Sequence, residues 1–430
     1  MKRLKFKKIL KWTAIVAGVA IALLLIANAL FVSGSGSRLE KRLAGLREAG
    51  LPIRIADLGR EPLPPEKNAD TFLRRAAHDL EAIEKELNAA YPRVGYPKGP
   101  LTPAEQEKLE KLFAAYPGLM PLLEQAADAP DHDPQLDASL PRTGFLEAYM
   151  DLAARHRPLY RVLRARSAML LSKDRPDDAV ATQLVLLRLT GHWRREPMLL
   201  GYLVTAVGEY TAAEVINQVL QAGPVSPATR QAIETELARH DTMEGYAWAL
   251  RTERALSLDT AREIPAATFW IMRLFTNGVM LRLLDLYDRH LEDASRPYLQ
   301  VAEKRKTAPP ARIGLNPYGG LVTMLEPSLF SGLEAADRVR AMVRSLRVLN
   351  ALQARVPPGG DRAPPLGDLG LPAEATTDPF DGEPLRVKKV PRGWMVYSVG
   401  RNGVDDGGQF EKVADIGVGP VSPEETPKKP

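Results

Sequence analysis

The 430-residue chain contains no cysteine. That absence excludes a disulfide framework, a thiolate nucleophile and a thiolate metal site, and it is compatible with an oxidising compartment. Histidine is nearly as scarce. The six present, His78, His132, His156, His192, His240 and His290, show no H-E-x-x-H and no spacing that puts two imidazoles on one helical face, so zinc hydrolysis has no support. Nucleophile elbows, S-x-x-K, P-loops and G-x-G-x-x-G fingerprints are also missing. A basic face is lacking too. The net charge of +5 vanishes once Lys2, Arg3, Lys5, Lys7, Lys8 and Lys11 are set aside, leaving 52 Lys and Arg against 53 Asp and Glu. A near-neutral body offers nucleic acid no electrostatic footprint.

Charge itself is absent from one stretch. Trp12 to Val32, WTAIVAGVAIALLLIANALFV, holds 21 uncharged residues. At about 1.5 Å per residue it spans about 30 Å, the hydrocarbon thickness of a bilayer. Ala27-Asn28-Ala29 offers a small-x-small cleavage pattern, but Leu30, Phe31 and Val32 continue the apolar run past it, so the segment reads as an uncleaved anchor. Six cations precede it and Ser33 to Ser37 follow as a flexible tether. The positive-inside rule then holds residues 1–11 in the cytoplasm and sends the body across. A second apolar stretch, Phe269 to Tyr287, carries Arg273, Arg282 and Asp285. Each charge near a bilayer centre costs about 2.5–3.5 kcal/mol, so this stretch reads as a buried helix of a soluble body.

The body is expected to be mainly α: a juxtamembrane helix and Pro-broken linker over 33–68, an α-helical domain over 69–332, a small α+β module over 333–417 and a disordered tail over 418–430. Thr102-Pro103-Ala104-Glu105 places a cap, a proline at the first helical position and a carboxylate at the third, and Ser226-Pro227 repeats the cap-then-proline signal. Leu159, Val162, Leu163 and Leu170 keep one apolar face, while Asp177 to Trp193 is apolar on most sides, as a central helix is. Roughly six helical segments fall between 143 and 294, with breaks at Lys173 to Pro176, Glu196-Pro197, Gly223-Pro224 and Ile264-Pro265. Successive helical hairpins of this kind make either an irregular all-α domain or a repeat-type scaffold with a binding groove. Beyond the linker PPGGDRAPPLGDLGLP, Leu385 to Val390 and Trp394 to Val399 read as a hairpin turning at Pro391-Arg392-Gly393.

Three clusters carry oxygen or imidazole donors. Asp131-His132-Asp133, with Asp128 and Asp137 nearby, lies in a Pro-rich loop and reads as solvated surface rather than a metal site. Asp285, Asp288, His290, Glu292 and Asp293 read as a solvated helix face with an i,i+4 pair from Asp285 to Arg289. Glu253, between Arg251 and Arg254, reads as a structural ion pair; a pocket gathering it with a histidine would instead favour catalysis.

The C-terminal order is a helix over Leu333 to Val356, the linker, Asp378-Pro379-Phe380-Asp381-Gly382, the hairpin with Tyr397-Ser398-Val399-Gly400, Gly407-Gly408 and Ala414-Asp415-Ile416. It resembles the globular part of the type II secretion major pseudopilins, in which a DPWGNPY-like lead-in precedes a two-stranded unit and an SLGADG…GG…ADI loop. In that family the loop binds calcium. The resemblance implies Asp415 as a ligand, with Asn402 standing where the family has Asp, and Asp405 and Asp406 able to restore the missing charge. The residues alone equally allow a loop whose glycines accept positive φ and whose aspartates are solvated. The anchor lacks the prepilin glycine and early glutamate, so filament assembly is not implied. The whole layout, with RLAGLREAGLPIRIADL after the anchor, is also similar to a group of uncharacterised bacterial single-pass anchored helical proteins. These features together lead to the expectation of a non-catalytic membrane-anchored scaffold or protein-interaction protein of the bacterial cell envelope, exposed on the far side of the inner membrane, with a protein partner, no nucleic acid, and calcium as the one candidate cofactor. The alternatives are a divergent envelope hydrolase and a secretion-system-associated component.

Overall fold

The structure is a computed structural model. It describes Trp12, Val16, Gly18, Val19 and residues 34–97, 99–263, 270–307, 319–356, 360–410 and 415–420. It is mainly helical, with one small antiparallel sheet of three strands. The expected tail 1–11, nearly all of the expected anchor 12–32, the break at Ile264-Pro265 and residues 421–430 lie outside the described residues; Trp12, Val16 and Val19 are helical and exposed. Among the described residues one helix, Met198–Ala222, is long and apolar enough to cross a membrane, and 67% of its apolar window is buried. That burial is what a core helix of a globular body shows.

The helices are α1 (34–48), α2 (Ala69–Ala90), α3 (Pro103–Ala114), α4 (Leu119–Asp128), α5 (Arg142–Arg155), α6 (Arg157–Ser172), α7 (Pro176–Trp193), α8 (Met198–Ala222), α9 (Pro227–His240), α10 (Glu244–Arg262), α11 (Trp270–Asp293), α12 (Tyr298–Thr307) and α13 (Gly319–Arg355). Their starts follow local chemistry. Thr102 accepts the Glu105 amide while the Glu105 carboxylate accepts the Thr102 amide at 2.9 Å, a complete capping box, and Ser226 accepts the Thr229 amide at 3.2 Å. The expected breaks before α7, α8 and α9 are present. Two more occur, at His156 between α5 and α6, where Pro158 opens α6, and at Asp241 to Met243 between α9 and α10, which holds neither glycine nor proline.

The chain divides into two compact units. The first comprises Met1–Leu58, Arg251–Arg289 and Pro310–Pro327. Within it α1 buries Leu39 and Leu43, and Arg42 forks onto Asp285 and Asp288, the latter at 2.6 Å. Asp285 therefore pairs with Arg42 and not with Arg289 four residues on, which bonds the Asp285 carbonyl oxygen and lies 4.0 Å from Glu326. Asp259 caps the backbone nearby by accepting the Ile55 amide at 2.7 Å.

The second unit comprises Gly59–Leu250, His290–Pro309 and Ser328–Pro430. Its helices form two rows. In one, α2 packs on α6 and α6 on α8; in the other, α4 packs on α7 and α7 on α9, with α2 against α4, α6 against α7 and α7 against α8 joining the rows. α7 lies between neighbours on several sides, which explains why Val180, Leu186, Leu187, Leu189 and Trp193 are all buried and its apolar residues do not confine themselves to one stripe. The C-terminal module packs within this same unit. β1 (Arg386–Val390) and β2 (Gly393–Ser398) pair antiparallel with Val390 opposite Gly393, the hairpin read from the sequence, and β3 (Ile416–Val418) adds an unforeseen third strand on β2. α13 begins well before Leu333 and contains Pro327. Its C-terminal half inserts a row of arginines into buried carboxylates: Arg344 reaches Asp241 at 2.8 Å and the Thr377 carbonyl at 2.8 Å, and Arg347 forks onto Glu234 and bonds Asp241 at 3.1 Å.

Candidate functional site

A groove runs between α6 and α8 with a volume of about 460 Å³. One wall is a stripe of α8 at helical spacing, Leu200, Leu203, Val204 and Val207. Leu200 and Val207 stand 42% and 57% exposed, an unusual state for large apolar residues on a helix whose other faces are core. The facing wall is α6, where Arg157, Arg161 and Arg164 recur at i, i+4 and i+7. Arg164 forks onto Glu214 at 2.6 and 3.2 Å and lies 4.3 Å over the Tyr96 ring; Arg161 reaches Glu84 at 2.7 Å. Arg157 is exposed and has no partner among the described residues. Tyr160 closes the floor by donating its hydroxyl to the Val204 carbonyl at 2.9 Å. Gly208 lets the two helices approach, since a Cβ there would stand 2.8 Å from both Tyr160 and Thr190.

Behind that floor lies a sealed polar cluster. Trp193 stacks on His156 with ring centroids 3.8 Å apart and tilts against Tyr160 at 6.2 Å. Glu196 Oε1 lies 3.4 Å from His156 Nε2 and 3.7 Å from His132 Nδ1, and all three side chains are buried. Burial pushes the Glu196 carboxyl well above its ordinary range, with Asp70 adding to the effect. Burial pulls His132 down to about 3 and His156 well below the usual imidazole range. Burial thus favours the uncharged form of all three groups. Met198, two residues beyond Glu196, takes φ 69, a conformation L side chains rarely adopt, as the chain turns from Glu196-Pro197 into α8.

His132 therefore does not sit on a solvated loop. Asp131 to Asp133 runs parallel to the start of α2, where the Ala69 amide bonds the Asp131 carbonyl at 2.9 Å. The Asn68 side chain donates to the Asp133 carbonyl at 2.8 Å and accepts the Asp133 amide at 2.9 Å. Asn68 thus supplies a strand-like partner 65 positions away in sequence. The second cluster divides: Asp285 and Glu292 are exposed and Asp288 half-buried, as a solvated face requires, while His290 is fully buried and Asp293 is ringed by Arg296, Lys304 and Arg305. A further buried group had no sequence signal. Glu209 accepts from Arg194 at 2.9 Å and contacts His240 Nδ1 at 2.9 Å; burial raises its carboxyl, but Arg194 and His240 outweigh that and leave it lowered. All six histidines belong to the second unit and Glu253 to the first.

In the C-terminal module the four candidate calcium ligands share one loop. Asp405 Oδ1 accepts the Tyr397 hydroxyl at 3.0 Å and the Gly407 amide at 2.9 Å. Asn402 donates its amide to Asp406 at 3.0 Å and accepts the Val404 amide at 3.1 Å. Asp415, buried, accepts the Gly408 amide at 2.7 Å through Oδ2, while its Oδ1 has no hydrogen-bond partner among the described residues. Its carboxyl is raised by burial first and then by Asp406 and Asp405. Among the described residues no group of three or more His, Asp or Glu side chains is arranged to hold a metal; the donors here are oxygens, the kind a hard cation takes. Ala414 of the resemblance lies outside the described residues. The DPFDG segment contains the true hub of the module. Buried Asp378 accepts the Phe380 amide at 2.8 Å, the Ser398 hydroxyl at 2.7 Å, the Val399 amide at 2.9 Å and Arg386 at 2.9 Å.

No family model matches the chain, and neither the curated proteins nor the solved structures include a significant match to it.

Proposed function

We propose that the protein is a membrane-anchored interaction scaffold of the bacterial cell envelope, held by Trp12 to Val32 with its body outside the cytoplasm, and that the α6/α8 groove is the surface it offers to a protein partner. The observation that carries this reading is the exposed apolar stripe of α8 in a unit whose helices stack in two rows, the arrangement by which helical-repeat scaffolds build binding surfaces. An envelope hydrolase has less support, because Glu196, His132 and His156, the acid and imidazoles that do converge, are buried away from any substrate. The pseudopilin-like reading of the C-terminal module is part of the proposal, supported by the long α13, the hairpin and the acidic loop in the family's order. Calcium would be held there by Asn402, Asp405, Asp406 and Asp415, neutralising carboxylates that crowd one another.

A photo-crosslinking residue at Val207 tests the scaffold reading in intact cells. A discrete adduct from Val207, absent when the same residue replaces exposed Arg75 on α2, is expected. Absence of any adduct at Val207, or activity of a C-terminal reporter confined to the cytosol, refutes it.

A further inference from the structure

We propose that the α6/α8 groove seats a single amphipathic α-helix of a partner protein, its apolar face on α8 and an acidic edge against α6. The inference rests on the scaffold reading and names the chemistry of its partner.

Three observations combine. Leu200, Leu203, Val204 and Val207 fall at i, i+3, i+4 and i+7, a stripe about 10 Å long, or about two helical turns. Its two ends, Leu200 and Val207, are exposed, with Leu203 half-buried and Val204 buried at the floor between them. Two helices side by side leave a furrow that a third helix fills with side chains at the same spacing, the helix-in-groove mode of recognition. The charge of the facing wall then selects the occupant. Arg161 and Arg164 each already hold one carboxylate, Glu84 and Glu214, while Arg157 holds none among the described residues. The wall therefore carries an uncompensated positive charge beside the apolar stripe, and its complement is a carboxylate at the edge of an apolar helix face. A free acyl chain with an anionic head fits the same two features less well. In an open furrow its outer side would remain in water, whereas a helix turns its own polar face outward.

Fluorescence anisotropy on the purified full-length chain tests this with two labelled model peptides, both built on a leucine stripe at i, i+3, i+4 and i+7, one with glutamates along one edge and its twin with lysines there. The glutamate peptide should bind saturably, and about tenfold more tightly than its twin. Val207→Asp should weaken it by about tenfold or more, and Arg157→Glu should weaken it several-fold while narrowing the gap between the twins. Both positions are exposed, and an unchanged melting temperature verifies that each variant is folded; Leu200→Asp provides a second probe of the stripe. Equal affinity for the twins, insensitivity to Val207→Asp or lack of saturation overturns the proposal. So does saturable, Val207-sensitive binding of palmitate in place of the peptide, which would make the groove a site for a small anionic amphiphile. Crosslinking from Val207 in cells without binding of the acidic peptide would leave the scaffold reading standing and remove this inference alone.

Discussion

Acidification should destabilise the second unit through His132, and the size of the effect follows from its surroundings. In the unfolded chain its imidazole titrates near 6.5; in the fold, burial and the neighbouring His192 hold it at about 3. Well above pH 6.5 the imidazole is neutral in both states and its titration adds nothing to the pH dependence of stability. Below it the unfolded chain takes a proton that the folded one refuses, so stability falls by about 1.4 kcal/mol per pH unit until pH reaches about 3. Between about pH 7 and pH 5 that amounts to about 2 kcal/mol. His156, lowered for the same reason, acts in the same direction. Glu196 opposes both, because its carboxyl is raised by burial and holds its proton to higher pH in the fold than in the unfolded chain, so acidification relieves a cost there. The contribution of His132 is therefore isolated by a difference. Chemical denaturation of the wild type and His132→Asn, followed by tryptophan fluorescence, should show the stability gap between them shrinking by about 2 kcal/mol from about pH 7 to pH 5. A gap that stays constant to within about 0.5 kcal/mol would mean that His132 is not buried as a neutral imidazole, and the account of the sealed cluster would fail.

Other outcomes follow from the packing. Gly208→Ala places a methyl 2.8 Å from buried Tyr160 and Thr190 and should cost about 1–3 kcal/mol, visible as a lowered denaturation midpoint. Asp378→Ala leaves the Ser398 hydroxyl and the Phe380 and Val399 amides without their acceptor, while Arg386 keeps Asp381; a loss of about 2–4 kcal/mol and faster proteolysis between β1 and β3 are expected. If the terminal loop takes calcium, millimolar calcium raises the melting temperature of the full chain and Asp415→Asn abolishes the rise; an unchanged melting temperature removes calcium from the proposal.

Much of the local structure was legible because it is written in neighbouring residues. The capping box at Thr102, the cap at Ser226, the proline-marked breaks before α7 to α9 and the β1–β2 hairpin each depend on groups a few positions apart. α7 announced its central place through apolar residues on most of its faces. The break at His156 is marked only by Pro158 at the second position of α6, with helix-forming residues on both sides, and β3 has three residues, too few to show a period. The acidic clusters are solvated only in part, with Asp128, Asp137, Asp285 and Glu292 exposed and His132, Asp133, His290 and Asp293 buried. Polar residues in a Pro-rich segment are normally solvated, and only long-range partners reverse that: Asn68 draws Asp131 to Asp133 inward, and Lys304 and Arg305 surround Asp293.

The candidate site divides along the same line. Its chemistry is present in the chain as two ordinary helical stripes, arginines on α6 and aliphatic residues on α8, and each alone reads as a surface and a core. Sequence determined those stripes, because side-chain period along a helix is a local property. Tertiary structure alone decided that they face one another across a groove. Which helix covers which is set by the packing of α7 behind both and by the room Gly208 leaves for Tyr160, contacts between segments far apart in the chain that no local pattern encodes.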